Sequence, residues 1–187
     1  MGTGSEPHAP QETRLDWSQG FDRWRIVSGR WGVESLEGLP VLMQRGQQDA
    51  FNLIVAPSEQ YGDLDATVRF KPISGKEDAS GGIVFRFQNG RYYVIRANGL
   101  EDNFRLYTYD RSRRMVATAQ VAPPALGAWH TLRVTAVGDR MQGFLNGKLL
   151  IDHRDGSFAA GQLGLWTKAD SVTAFADFTV RGIPRQQ

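Results

Sequence analysis

The stretch "GGIVFRFQNGRYYVIRANGLEDNFRLYTYD", residues 81–110, decides the fold. In its first run Ile83, Phe85 and Phe87 alternate with Val84 and Arg86. In the second, Tyr93, Ile95 and Ala97 alternate with Tyr92, Val94, Arg96 and Asn98. In the third, Phe104, Leu106 and Thr108 alternate with Arg105, Tyr107 and Tyr109. A period of two sends successive side chains to opposite faces of an extended chain, so three consecutive strands are predicted, each with a face for a core. Gln88-Asn89-Gly90-Arg91 separates the first two runs. Asn-Gly tolerates the positive φ that a tight hairpin turn demands, and Leu145-Asn146-Gly147-Lys148 repeats the signal further on.

Outward from this centre the pattern continues. "LDATVRF" (64–70) places Leu64, Ala66, Val68 and Phe70 on one side, and "TLRVTAV" (131–137) does the same with Leu132, Val134 and Ala136. Leu163, Leu165, Phe178 and Val180 complete the expected core. "PISGKEDASGG" (72–82) reads as a longer exposed loop. No helical periodicity and no repeat of 20–50 residues is present. A dozen or more short strands without helices predict an all-β fold, an antiparallel β-sandwich of two packed sheets.

The 187 residues suit one domain, placed at 16–183, after a polar lead-in at 1–15 and before a short tail at 184–187. No apolar run approaches the ~20 residues of a membrane span. Cysteine is absent, which removes disulfides, thiolate metal sites and cysteine nucleophiles. A net charge of +2 is too small to suggest nucleic acid, and "RSRR" (111–114) is a short basic tip rather than a patch. His8, His130 and His153 are scattered, so no metal site is expected, and no cofactor motif occurs. Arginine outnumbers lysine 18 to 4; its planar fork suits carboxylates and vicinal hydroxyls, although a genome rich in arginine codons gives the same bias.

Candidate function gathers on the face opposite the core. Arg96, Asn98, Asn103, Arg105 and Tyr107 leave neighbouring strands on that side, with Arg86 expected there too. Donor forks, amides and aromatic rings suit a saccharide, although a solvated outer sheet has the same composition. Glu101 and Asp102, at the tip joining two of the strands, are candidate proton-transfer groups or ordinary turn acids. In "GLWTKAD" (164–170), Trp166 and Lys168 share the non-core side beside Asp170, either at the rim of the same site or as edge cover.

Four segments in order, "FDRWRIVSGRWGVES" (21–35), "GGIVFRFQNGRYYVIRANGLEDNFRLY" (81–107), "GAWHTLRVTAVGDRMQGFLNGKLLIDHRD" (127–155) and "GLWTKADSVTAFADFTV" (164–180), resemble the concanavalin A-like lectin/glucanase superfamily. Within it the chain is similar to the bacterial 3-keto-disaccharide hydrolase domain, which is family 16 glycoside hydrolase-like. The resemblance implies a jelly roll whose concave sheet faces sugars, and a periplasmic or secreted setting. The Glu-x-Asp-x-x-Glu strand of family 16 glucanases is missing, which removes ordinary retaining chemistry. Phe175-Ala176-Asp177-Phe178 stands where similar proteins often carry two consecutive acids, which weakens any metal site taken from the resemblance. Three readings follow. The first is a domain binding an oligosaccharide or disaccharide. The second is an enzyme cleaving 3-keto-disaccharides, with Glu101 or Asp102 moving the proton. The third is a protein-adhesion module.

Overall fold

A computed structural model of the chain describes residues 10–48 and 50–185. Expectations for residues 1–9, His8 among them, and for 186–187 lie outside the described residues. Two antiparallel sheets form a sandwich. The first runs, in spatial order, β13 (Lys148–Arg154), β12 (Arg140–Leu145), β11 (His130–Val137), β6 (Tyr61–Ser74), β15 (Val172–Pro184), β4 (Leu39–Gln44) and β3 (Trp31–Leu36). Within the stretch expected as lead-in, β1 (Gln11–Arg14) adds to it by pairing with β15. The second runs β10 (Ser112–Gln120), β9 (Asn103–Asp110), β8 (Arg91–Asn98), β7 (Ser80–Gln88), β14 (Gln162–Lys168), β5 (Phe51–Val55) and β2 (Arg25–Ser28). One turn of 3-10 helix, Phe21–Arg23, is the helical element among the described residues.

Alternation explains the core. Val68 and Phe70 of β6, Ile83 and Phe85 of β7, Tyr93 and Ile95 of β8, Phe104 and Leu106 of β9, and Leu132 and Val134 of β11 meet between the sheets. Phe85 and Tyr93 stack with centroids 5.1 Å apart. Removing such a ring costs about 3–5 kcal/mol, because the cavity refills only in part. Both Asn-Gly hairpins form as expected, with Asn89 and Gly90 at φ 53° and 76°, and Asn146 and Gly147 at 50° and 81°.

Two expectations are corrected. Phe87 does not enter the core: Arg86 takes φ 53° and the β7–β8 register shifts between Phe85 and Gln88. This bulge turns Phe87 to the outer side of the second sheet. Nor is 72–82 an exposed loop. β6 runs on to Ser74, β7 begins at Ser80, and Asp78, Ala79 and Ser80 are buried.

The second sheet is therefore apolar on both faces. Its outer side carries Leu53, Val55, Val84, Phe87, Tyr92, Val94, Tyr107 and Trp166 as a second buried cluster.

Candidate functional site

The candidate site lies at one end of that outer face, where the β8–β9 tip, residues 75–79 and the β14–β15 turn converge. Register sets its floor. Trp166 pairs with Gly82, Gly82 with Arg96, and Arg96 with Arg105, so these four positions form one row across β14, β7, β8 and β9. Gly82 is close-packed there: a Cβ would lie 3.0 Å from Val94 Cγ2 and 3.3 Å from Arg96 Cβ.

Arg96 is 3% exposed. It donates from Nη1 to the Asn103 carbonyl at 2.9 Å, and from Nη2 to Glu101 Oε2 at 3.1 Å and the Tyr107 hydroxyl at 3.4 Å. Arg105 donates to the same hydroxyl at 3.3 Å and to Thr118 Oγ1 at 3.3 Å. Glu101 is thereby held at the rim, while Asp102 stays on the exposed tip, its carbonyl accepting from Val121 N–H at 3.0 Å.

Asn98 and Asp170 are occupied in holding the frame. Asn98 donates to Asp78 Oδ2 at 3.0 Å, and its Oδ1 accepts from the Ala79 and Leu100 amides at 3.1 and 3.0 Å. Asp170 accepts from three successive amides, Lys76 at 2.7 Å and Glu77 and Asp78 at 3.1 Å. Burial works to raise the Asp170 pKa, but those amides together hold it below the usual carboxylate value. Ser171 ties the two halves together, donating to Asp78 Oδ1 at 3.1 Å and accepting from Ser80 N–H at 3.0 Å.

Sequence reasoning missed Asp78. Burial raises its pKa against the hydrogen bonds of Ser80 and Ser171 and the positive charges of Arg96 and Lys168. A buried carboxyl facing two cations at a rim is the arrangement by which proteins tune proton-transfer groups. The sequence held no local sign of this, since its partners lie on other strands.

Of the other expected site residues, Lys168 lies on the outer side and is half-buried. Arg86 does not join the group. The bulge turns it to the other end of the sandwich, where it donates to the carbonyls of Gly62 (2.9 Å), Phe158 (3.0 Å) and Gly138 (2.7 Å). Trp166 and Tyr107, expected as stacking platforms, are 1% and 3% exposed. Trp166 packs on Phe51 with centroids 5.4 Å apart, and Tyr107 carries the Arg113 guanidinium 4.2 Å from its centroid. Neither ring offers an open face in this conformation. Asp177 pairs with Arg14 and Arg69 at 3.0 and 3.2 Å. Among the described residues no group of three or more His, Cys, Asp or Glu side chains is placed to hold a metal ion.

Two buried side-chain polar atoms lack a well-aligned hydrogen-bond partner among the described residues, Asn103 Oδ1 and Trp166 Nε1. The Trp166 indole nevertheless lies close enough to the Tyr92 hydroxyl to work against the rise that burial imposes on its pKa. Both belong to residues on this outer face. The indoles of Trp17, Trp24, Trp31 and Trp129 all donate within the protein.

The family model described as the 3-keto-alpha-glucoside-1,2-lyase-like domain matches residues 16–181. The chain belongs to this family. It is also 26% identical over 163 residues to a levanase of Bacillus subtilis (strain 168), a match covering 83% of this chain and 22% of the levanase. The chain thus spans under a quarter of that relative. Among solved structures it is similar to the carbohydrate-binding module CBM66 from Bacillus subtilis, with a TM-score of 0.75 and 22% identity over 85% of this chain and 95% of that one. The exoplasmic/lumenal domain of VIP36, solved bound to Ca2+ and Man3GlcNAc, gives a TM-score of 0.68 at 11% identity, covering 96% and 92%. These likenesses show the fold, a jelly-roll β-sandwich. No helix among the described residues is long and apolar enough to cross a membrane.

Proposed function

We propose that this chain is a carbohydrate-binding domain, and that the trough between Trp166 and Arg105 on the outer face of its second sheet holds an oligosaccharide or disaccharide. The observation that carries this reading is the coincidence of two buried polar atoms without a well-aligned partner, one donor and one acceptor, with the Arg96–Arg105 pair on the same face. Buried polar groups are nearly always satisfied, and an exception marks a place where a partner arrives. Sugar hydroxyls both donate and accept, so an oligosaccharide spanning β14 to β9, about 14 Å, can meet Trp166 Nε1 and Asn103 Oδ1 once the Phe51 and Arg113 side chains that cover this face move aside. Arg96, Glu101, Arg105 and Lys168 then supply directional contacts at the rim. The named functions of the levanase, the carbohydrate-binding module and VIP36 point the same way. An exported setting accords with them.

The test is titration of the folded domain with oligosaccharides of varied linkage. Saturable binding is expected, weakened at least about tenfold, or 1.4 kcal/mol, by Glu101→Gln. Binding unaltered by Glu101→Gln and by Arg96→Lys would count against this trough.

One observation favours a second reading, cleavage of a 3-keto-disaccharide. Asp78 is a buried carboxyl with a raised pKa beside two cations, in a chain of the lyase-like family. A 3-keto group acidifies the adjacent C2–H, so a positioned base suffices to begin elimination across C1–C2. Product formation from 3-keto-disaccharides, retained in Glu101→Gln and lost in Asp78→Asn, would establish this reading. Absence of product from the wild-type protein would remove it.

A further inference from the structure

The carbohydrate reading leaves the charge of the ligand open, and the side chains around Tyr107 address it. Arg96 and Arg105 are direct cross-strand partners, an arrangement in which like charges repel. Their guanidinium groups converge on one phenolic oxygen, at 3.4 and 3.3 Å. A third guanidinium, that of Arg113, lies 4.2 Å from the centroid of the same ring and 5.3 Å from that of Phe51. Arg113 faces Tyr109 across β10 and β9, so the edge strand delivers it onto this face rather than leaving it at a basic tip. Lys168 adds a fourth positive charge on the same side.

Little negative charge meets these four cations directly. Glu101 is the one carboxylate in ion-pair contact with any of them among the described residues, and its partner is Arg96. Three further acids lie at this end without an ion-pair contact to them: Asp78, whose charged form burial disfavours, Asp170, which is taken up by three backbone amides, and Asp102 on the exposed tip. Elsewhere some arginines pair with acids, Arg45 with Glu34, Arg133 with Asp65, Arg140 with Asp152 and Arg154 with Asp139, and others such as Arg25 and Arg91 have no such pair among the described residues. What sets this group apart is its convergence on one buried ring. A half-buried group of unbalanced guanidinium ions costs stability through mutual repulsion and incomplete hydration. An incoming anion relieves both, and two guanidinium forks match a carboxylate in particular.

We propose that the saccharide held on this face is acidic, and that Arg105 and Arg113 grip its carboxylate. The inference rests on the carbohydrate reading and narrows it to uronate-containing sugars. The aromatic layer beneath, Tyr107 and Phe51, fixes the Arg113 fork in place, so little rotamer freedom is lost when the anion binds.

Calorimetric titration tests this directly. The probes are galacturonate, glucuronate and mannuronate oligosaccharides, each set beside its neutral hexose counterpart, at low and at high salt. At least one acidic member is expected to bind about tenfold or more tightly than its neutral counterpart, with the advantage shrinking as salt screens the contact. In Arg105→Gln and Arg113→Gln the acidic-to-neutral ratio is expected to fall toward one; urea midpoints of the same variants establish that they fold. Equal affinity within every pair would overturn the acidic-ligand inference and leave the carbohydrate reading standing. A preference undiminished in both variants would overturn the assignment to these arginines. Failure of every saccharide, acidic and neutral, to bind the wild-type domain would overturn both readings.

Discussion

Arg96 joins fold and site in a single side chain. It holds the β8–β9 tip through the Asn103 carbonyl and Glu101 while lying in the row that joins Trp166 to Arg105. Arg96→Ala leaves a buried carbonyl without its donor, which should cost about 1–3 kcal/mol and lower the urea midpoint as well as ligand affinity. Arg96→Lys keeps the charge but cannot serve both acceptors, so affinity should fall even where stability recovers. Asp78 gives a pH signature. Its pKa is raised in the folded state, mainly by burial, from the ordinary 3.8. The folded protein thus holds a proton that the unfolded chain releases, and the resulting stability is fully present below about pH 3.8 and lost as pH rises through the folded value. Over that window the urea midpoint of the wild type should decline relative to that of Asp78→Asn; parallel curves would mean Asp78 titrates as it does in the unfolded chain. Neither property was visible in the sequence. "KED" (76–78) looks like solvated turn chemistry, and the partners that hold Asp78, Asn98 at the end of β8 and Ser171 in the β14–β15 turn, arrive from distant parts of the sequence.

At the scale of elements, alternation was legible wherever the strand was regular. β6, β8, β9 and β11 carry their inward residues as the sequence implies, because a period of two leaves one choice once one face is apolar. Legibility failed at bulges. The positive φ of Arg86 has no glycine to announce it, and one extra residue sends Phe87 outward and Arg86 to the sandwich end. Arg86→Met should be strongly destabilising, because three carbonyls lose their donor, yet ligand affinity per folded molecule should not change. A calorimetric titration corrected for folded fraction separates this from the behaviour of Arg96. The hairpin turns give the converse case. Gly90 sits at φ 76°, and a Cβ there meets no neighbour, so Gly90→Ala should cost about 1–2 kcal/mol through backbone strain alone. A urea midpoint unmoved by the substitution would mean that the turn adapts. "RSRR" (111–114) was read as a basic tip because no wider basic stripe surrounds it in the sequence; the tight turn at Arg111 pairs Arg113 with Tyr109 and makes it part of the face.

For the whole molecule, sequence order and spacing identified the superfamily, while the site took its definition from which groups the fold leaves unpaired. The two sheets share one core and each carries a smaller apolar cluster outside it, Val41, Met43, Val172 and Ala174 on the first and a larger, aromatic-rich layer on the second. The layer fixes Trp166, Tyr107 and Arg113 under a rim of polar groups, and residues 75–79, pinned by Asp170, close one end. The most direct measurement is a 15N nuclear magnetic resonance titration of the domain with a binding saccharide, following the five tryptophan indole N–H signals and the arginine Nε–H signals. The Trp166 indole and the Arg96 and Arg105 Nε–H resonances should shift saturably, while those of Trp17, Trp24, Trp31, Trp129 and Arg86, all engaged within the protein, stay in place. Saturable shifts confined to Trp129 or Arg86, with Trp166 and Arg96 unmoved, would contradict a saccharide site on the outer face of the second sheet.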